Sequence, residues 1–114
     1  MDSYKLSLDR LTITNTRPKY AEGICRTVRR AFQVDLDEDC DECMKPHHIY
    51  AQIERFPEGQ FVAVYIDDNG EEIVVGMSAT MRTSRPPSEK AIDWMSAIGD
   101  LGIKNHEPEG DWLY

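Results

Sequence analysis

The feature that most constrains the fold is a pair of apolar segments separated by a short turn signal. Residues 60–66 (QFVAVYI) are rich in β-branched and aromatic side chains, which favour strands. Residues 67–70 read DDNG, and an Asn-Gly pair tolerates the positive φ of a tight hairpin turn. Residues 72–82 (EIVVGMSATMR) then return as a second long strand. The sequence therefore predicts an antiparallel hairpin at the centre of the chain.

Alternation along the second strand predicts which of its side chains share a face, because successive residues of a strand point to opposite sides. The larger apolar face would carry Ile73, Val75, Met77, Ala79 and Met81. The smaller, more polar face would carry Val74, Gly76, Ser78 and Thr80. A glycine inside a strand often marks a bulge or a close approach of other atoms, so Gly76 is expected to mark one of these.

Two helices are predicted before the hairpin, after a short alternating strand over residues 11–14 (LTIT). Proline suits a first helical turn, and apolar residues at helical spacing from Tyr20 to Phe32 predict an amphipathic helix over residues 18–33. Pro46 opens a second helix, with its apolar stripe ending at Phe56.

The chain after the hairpin is less regular. Residues 84–110 form a long connection, in which Ser88 could cap a short helix that runs to Ile98 and ends at Gly99. Residues 111–114 (DWLY) resemble the start of another strand. The predicted order is strand, two helices, two antiparallel strands, a loop with a helix, and a last strand. This order indicates one α/β (more narrowly, α+β) domain with a mainly antiparallel mixed sheet.

Charge and composition limit the partners and the compartment. The net charge of -8 disfavours nucleic acid and anionic membranes and suits a cationic small molecule or a basic peptide. The N-terminus is charged and leads into no long apolar run, so we expect neither a secretory signal nor a membrane span. The three cysteines are expected to be free thiols in a reducing cytoplasm.

Three stretches resemble the N-terminal half of the GNAT superfamily of N-acetyltransferases. They are the strand-then-helix opening from Ile13 to Phe32, the central hairpin with Gly76 in its second strand, and the terminal DWLY. The resemblance implies that residues 1–114 are a single incomplete GNAT domain. The family's glycine-rich loop, which cradles the acyl-CoA pyrophosphate at a helix N-terminus, would lie beyond Tyr114. We therefore expect cofactor-binding residues there, and weak or no binding of acetyl-CoA by this chain alone.

The same resemblance implies that the complete domain would transfer an acetyl group from acetyl-CoA to a primary amine on a small molecule or peptide. Asp111 is the candidate catalytic base, with Glu109 and His106 as open alternatives, because each could take a proton. Phe32 and Trp94 are candidate substrate-binding residues, and Trp94 with Met95 would cover either a pocket or a small hydrophobic cluster.

Other interpretations of the sequence stay open. The chain could be a non-catalytic acidic α/β module that pairs through an open sheet edge with a second copy or another chain. Cys40, Cys43, His47 and His48 invite a zinc site, but the close spacing of the two pairs favours a solvated loop and no metal. The acidic run from Asp35 to Glu42 could steer an amine or simply be solvated. Arg26, Arg29 and Arg30 are expected on an exposed helix face.

Overall fold

The computed structural model describes residues 7–36, 38–85 and 94–114, with the backbone alone at Trp94 and Met95. The helices and strands are β1 (Leu11–Asn15), α1 (Ala21–Ala31), α2 (Pro46–Arg55), β2 (Gln60–Ile66), β3 (Glu72–Ala79), β4 (Arg82–Thr83), α3 (Trp94–Ile98) and β5 (Trp112–Leu113). This mixture of helices and antiparallel strands confirms the predicted α+β class.

The central hairpin forms between residues 60–66 and 72–79, but the second strand, predicted to run to Arg82, ends at Ala79, and residues 82–83 belong to another sheet. β1, β2 and β3 make an antiparallel sheet in that order, and β4 pairs with β5 in a second, two-stranded sheet. In the turn, the Asp67 carboxylate accepts hydrogen bonds from the Asn69 and Glu71 N–H groups at 2.8 and 2.9 Å. Gly70 has a φ of +78°, which a side chain would strain. The DDNG sequence therefore supplies both the acceptor and the flexible residue that close the hairpin.

A β-bulge near Gly76 changes the predicted faces of β3. Ala63 lies opposite Gly76 and Val64 lies opposite Val74, so Val75 has no partner on β2. One extra residue reverses the alternation for the rest of the strand. Val74 and Met77 consequently both pack against the core, whereas Ile73 and Val75 are exposed. The predicted bulge is confirmed, and the prediction that Ile73, Val75 and Met77 share one face is wrong.

The main core lies between the sheet and the two helices α1 and α2. Its buried residues are Tyr20, Ala21, Ile24, Cys25, Ile49, Val62 and Val64. The predicted second helix is confirmed. The first is shorter than predicted, because residues 18–20 form a 3-10 turn and the helix ends at Ala31, two residues before Gln33 adopts a φ of +60°. α1 approaches the sheet closely, since a Cβ at Gly23 would lie 2.8 Å from Val74 Cγ2.

A smaller apolar cluster of Met81, Ile98 and Ile103 lies beyond the end of the sheet. The helix predicted up to Ile98 is described from Trp94 onwards, and its start at Ser88 lies outside the described residues. Gly99 follows it with a φ of +86°, as its predicted role in ending the helix requires.

Two buried glutamines join the smaller cluster to the main core. The Gln52 side-chain amide donates to the Leu101 carbonyl at 2.6 Å. The Gln60 amide donates to the Phe56 and Thr80 carbonyls at 3.0 and 2.7 Å, and its oxygen accepts from the Thr80 N–H at 3.3 Å. Gln60 is 1% exposed, so its side-chain amide is satisfied by these bonds in place of water.

The side of the sheet that faces away from α1 and α2 carries large exposed apolar side chains. We call it the outer sheet face, defined by Ile13, Phe61, Ile73 and Val75. Ile13 is 69% exposed, although its alternating segment predicted a half-buried strand. In β1, Thr12 lies opposite Val64 and Thr14 lies opposite Val62. Both threonines are therefore on the same side of the sheet as these two core residues. The alternation of β1 is therefore present, but its polar side is the one on the core side of the sheet, where Thr14 is half-buried and Thr12 is exposed.

A polar network joins the start of α1 to the start of β3. Glu72 accepts a hydrogen bond from the Tyr20 hydroxyl at 2.5 Å and one from Lys19 Nζ at 3.0 Å. The Tyr20 hydrogen bond, followed by that of Lys19, lowers the pKa of the Glu72 carboxyl below its ordinary value. The contacts with Glu72 and Tyr20 raise the pKa of Lys19.

We expect Tyr20→Phe to raise the pKa of Glu72 toward its ordinary value, because the substitution removes the largest cause of the shift. A lowered carboxyl pKa stabilises the fold above the unfolded pKa, and that stability is lost as the pH falls through the folded pKa. The variant should therefore lose this contribution at a higher pH. Carboxyl 13C NMR titration measures the change, and Tyr50→Phe, on the exposed side of α2, is the matched control. Identical Glu72 titrations in wild type and Tyr20→Phe would refute the assignment.

Candidate functional site

The edge of β3 that faces away from β2 carries backbone groups directed outwards. The Gln60 carbonyl accepts the Thr16 N–H at 2.9 Å, so the backbone groups of Gln60 point toward β1. Opposed residues of antiparallel strands either exchange hydrogen bonds or face away from each other, in alternation. Ala79, which lies opposite Gln60, therefore directs its N–H and C=O away from β2, and so does Met77, opposite Val62.

The last strand lies on this same side. The Met81 N–H donates to the Tyr114 carbonyl at 3.0 Å, and the Tyr114 N–H donates to the Met81 carbonyl at 2.9 Å. Thr80, between Ala79 and Met81, is hydrogen-bonded to Gln60 on the β2 side. β5 therefore runs along the line of the outward edge of β3, and the predicted strand at DWLY is confirmed. The backbone groups of Met77 and Ala79 are the next positions along that line.

A largely apolar cavity of about 510 Å³ opens beside this edge. β3 contributes Met77, Ser78 and Ala79 to its lining. α1 and the residue after it contribute Val28, Arg29 and Phe32, and the loop between the helices contributes Cys40, Glu42, Cys43 and Met44. A volume between about 300 and 1,000 Å³ is typical of ligand pockets. The cavity and the outward backbone groups of β3 thus form one continuous candidate site.

α1 limits how far this edge extends toward the hairpin turn. The Thr27 hydroxyl lies within hydrogen-bond distance of two carbonyls, at 3.1 Å from that of Val74 and at 2.8 Å from that of Gly23 one turn earlier in the helix, and its single proton is shared between them. Val74 lies opposite Val64, whose backbone groups point toward β1 as those of Gln60 do. The Val74 carbonyl therefore belongs to the outward edge of β3. A side chain of α1 therefore occupies the edge at Val74, and the accessible stretch begins at Met77.

Basic side chains hold the acidic loop against the cavity. Arg29 Nη2 donates to the Glu38 carbonyl, and Lys45 Nζ donates to the Cys40 carbonyl. Arg29 Nε is buried and has no hydrogen-bond partner among the described residues. Arg29 therefore belongs to the loop contact and the cavity lining, which corrects its predicted place on a plain exposed helix face.

The loop exposes its carboxylates to solvent. Those among the described residues are Asp35, Glu38, Asp39, Asp41 and Glu42. The predicted acidic run therefore borders the cavity, and Glu42 contributes to the cavity lining. Its role in steering a charged partner stays a prediction.

A disulfide joins Cys40 to Cys43 in the wall of the cavity. The prediction of three free thiols is therefore wrong for these two residues and correct for Cys25, which is buried. Burial raises the pKa of the Cys25 thiol, which disfavours its reactive thiolate form. With both loop sulfurs bonded to each other, neither is a thiolate that could bind zinc. The disulfide also removes the free-thiol argument for a reducing compartment.

The structure describes the side chain of only one of the two residues predicted to bind substrate, Phe32 and Trp94. Phe32 lines the cavity and is 77% exposed, which places it at the cavity's open side. Trp94 begins α3, but its side chain lies outside the described residues. Their roles in substrate binding stay predictions.

The residues proposed as catalytic bases are distributed around β5 and its loop. Asp111 is exposed immediately before β5 and is not among the residues lining the cavity, and Glu109 is also exposed. His106 Nδ1 accepts the Arg82 N–H at 2.9 Å, and its ring stacks on Phe56. Desolvation, followed by the charge of Arg82, lowers the pKa of His106. His106 therefore has a structural role, holding the loop against the strand.

The sequence alone did not indicate the outward backbone groups of Met77 and Ala79 or the contact of Arg29 with the acidic loop. Backbone direction depends on strand pairing, and the bulge at Val75 shifts that pairing by one residue. The available signal was Gly76, which marked the bulge but not which neighbour would be the extra residue.

One comparison with known proteins bears on function. An 84-residue stretch, 71% of this chain, is 31% identical to the protein named "Probable hydrolase YhcX" of Bacillus subtilis (strain 168). The chain covers about 15% of that relative's length. No family model and no solved structure matches the chain.

The name of this relative contradicts the predicted function. A hydrolase cleaves a bond with water, whereas the sequence analysis predicted acetyl transfer from acetyl-CoA to a primary amine. The prediction of acetyl transfer is therefore wrong. The likeness to the GNAT fold and the use of acetyl-CoA stay predictions, which these comparisons do not test.

Among the described helices, none has the length and apolar character needed to cross a membrane.

Proposed function

We propose that this chain is a non-catalytic binding module of a larger, hydrolase-type protein, and that it binds an extended peptide segment along the outward edge of β3. The carrying observation is the direction of the Met77 and Ala79 backbone groups, which continue the line on which Met81 already pairs with Tyr114. An added strand gains main-chain hydrogen bonds at such an edge, as in other cases of β-augmentation. We expect the segment to run antiparallel to β3.

The hydrolase-type context rests on the relative from Bacillus subtilis, which is several times longer than the matched stretch. The outer sheet face supports a larger assembly, because contiguous exposed apolar side chains commonly mark a surface that another domain covers. A cytoplasmic location remains part of this proposal.

Backbone NMR tests the proposed edge directly. We expect a strand-forming peptide of about seven residues, an ordinary strand length, to shift the amide signals of Met77 and Ala79 and to slow their hydrogen exchange. Gly76 and Ser78 provide an internal control, because their backbone groups already face β2. The same peptide with N-methylated amides on its pairing edge should not bind. Unchanged Met77 and Ala79 signals at millimolar peptide would refute the proposal.

A further inference from the structure

The cavity beside β3 indicates what the bound segment must contain. Resting on the proposed function, we infer that the segment carries an aliphatic side chain that enters the cavity, and basic residues on either side of it. Met77 and Ala79 belong both to the outward edge of β3 and to the cavity lining. A strand paired with them would therefore place its own side chains directly over the cavity.

Strand geometry sets the spacing of this anchor. Alternate side chains of an added strand point to the same face of the sheet. The face of β3 that carries Met77 and Ala79 is the one covered by the helices, where the cavity opens. Every second side chain of the segment is thus directed toward the helix-covered face and its cavity. The side chains between them are directed toward the outer sheet face.

The lining selects for an apolar anchor. Val28, Phe32, Met44 and Leu101 surround the space together with the β3 side chains. A volume of about 510 Å³ exceeds that of any single aliphatic side chain, so leucine or isoleucine can enter without displacing the walls. Burying such a side chain is favourable by about 1.5–3 kcal/mol, whereas a polar side chain would lose its hydration without gaining a partner.

The charge at the cavity selects for basic flanking residues. Glu42 lines the cavity, and the adjoining loop exposes Glu38, Asp39 and Asp41 to solvent. Arg29 also lines the cavity and keeps its positive charge, because the Glu38 carbonyl that it contacts is neutral. The four carboxylates of Glu38, Asp39, Asp41 and Glu42 outnumber this charge. Surface charges attract across roughly 8–10 Å at moderate salt, so lysines flanking the anchor would lie within range of these carboxylates.

Peptides that differ at single positions test each part of this inference. The reference peptide has alternating valine and threonine, a central leucine anchor and a lysine near each end, and isothermal titration calorimetry measures its affinity. We expect leucine-to-serine at the anchor to weaken binding at least about tenfold, the equivalent of ~1.4 kcal/mol. Lysine-to-glutamate should weaken binding several-fold, and this difference should shrink at high salt.

Matched phenylalanine variants of the protein locate the anchor. Phe32→Ala should weaken the leucine peptide about three- to tenfold, because the ring lines the cavity. Phe61→Ala, on the outer sheet face, should leave its affinity unchanged. Both side chains are exposed, so neither variant should prevent folding, and thermal unfolding checks this directly.

The outcomes separate this inference from the proposed function. If the serine and leucine peptides bind within twofold of each other and both shift Met77 and Ala79, the edge binds strands but the anchor inference is overturned. If lysine and glutamate peptides bind equally at low salt, the basic-flank part is overturned. If no peptide binds, the proposed function itself has failed.

Discussion

Ile24→Ala is expected to destabilise the protein by about 3 kcal/mol, within the range of about 2–5 kcal/mol measured for removing a large aliphatic side chain from a core. Ile24 is 0% exposed and lies in the main core with Ile49, Val62 and Val64. Truncation removes three carbon atoms from contact with α2 and the sheet, and the cavity left behind cannot fill completely. Urea denaturation followed by circular dichroism measures the loss.

Ile13→Ala is the matched control for this prediction, because it makes the same chemical change on the outer sheet face. Its side chain is largely in water, so we expect a loss below about 1 kcal/mol, arising mainly from the lower strand propensity of alanine. Equal losses in the two variants would show that the sheet buries its Ile13 side, contrary to the packing of α1 and α2.

Gln60→Leu is expected to cost about 3 kcal/mol for a different reason. Leucine fits the apolar surroundings, but it leaves the Phe56 carbonyl and both backbone groups of Thr80 without their partner. A buried polar group that loses its hydrogen bond costs about 1–3 kcal/mol, and some of these groups will recover water at the chain surface. The loss should appear as a lower midpoint in urea denaturation.

Gln52→Leu provides the comparison, since Gln52 is also buried but its side chain makes a single hydrogen bond among the described residues, to the Leu101 carbonyl. We expect it to lose about half as much stability as Gln60→Leu. Hydrogen exchange adds a second readout, because Gln60→Leu should increase exchange at Thr80 and at Met81, which follows it. A larger loss for Gln52→Leu would contradict the central role given to Gln60.

Local chemistry was sufficient to predict most of the fold. Proline and apolar spacing located both helices, and the DDNG segment located the hairpin to within a residue. Each of these signals acts over a few neighbouring residues, so no knowledge of the tertiary structure was needed. The alternation of β1 was also predicted, but alternation alone does not tell which face of the strand points toward the helices.

The candidate site was predictable only in part. Phe32 and the acidic loop were singled out from the sequence, and both border the cavity. The outward edge of β3 depends on the pairing of Gln60 with Ala79, a contact between residues far apart in the chain. The Cys40–Cys43 disulfide was missed because composition argued for a reducing compartment, which says nothing about whether two particular sulfurs meet.

The unpaired Val75 gives the hairpin a way to lose one residue during evolution without turning its faces over. Val74 and Gly76 already lie opposite the neighbouring residues Val64 and Ala63, so loss of Val75 would restore simple pairing with β2 and leave Ile73 and Val74 on their present faces. Loss of a second residue at this point would bring Ile73 to the place of Val74, close to Gly23 of α1, where a Cβ on the glycine would already lie 2.8 Å from Val74 Cγ2. Changes of length should also be accepted at residues 67–71, where a Cβ at Gly70 would meet no other atom. Natural variants of this hairpin would therefore differ in the turn or lack the bulge residue.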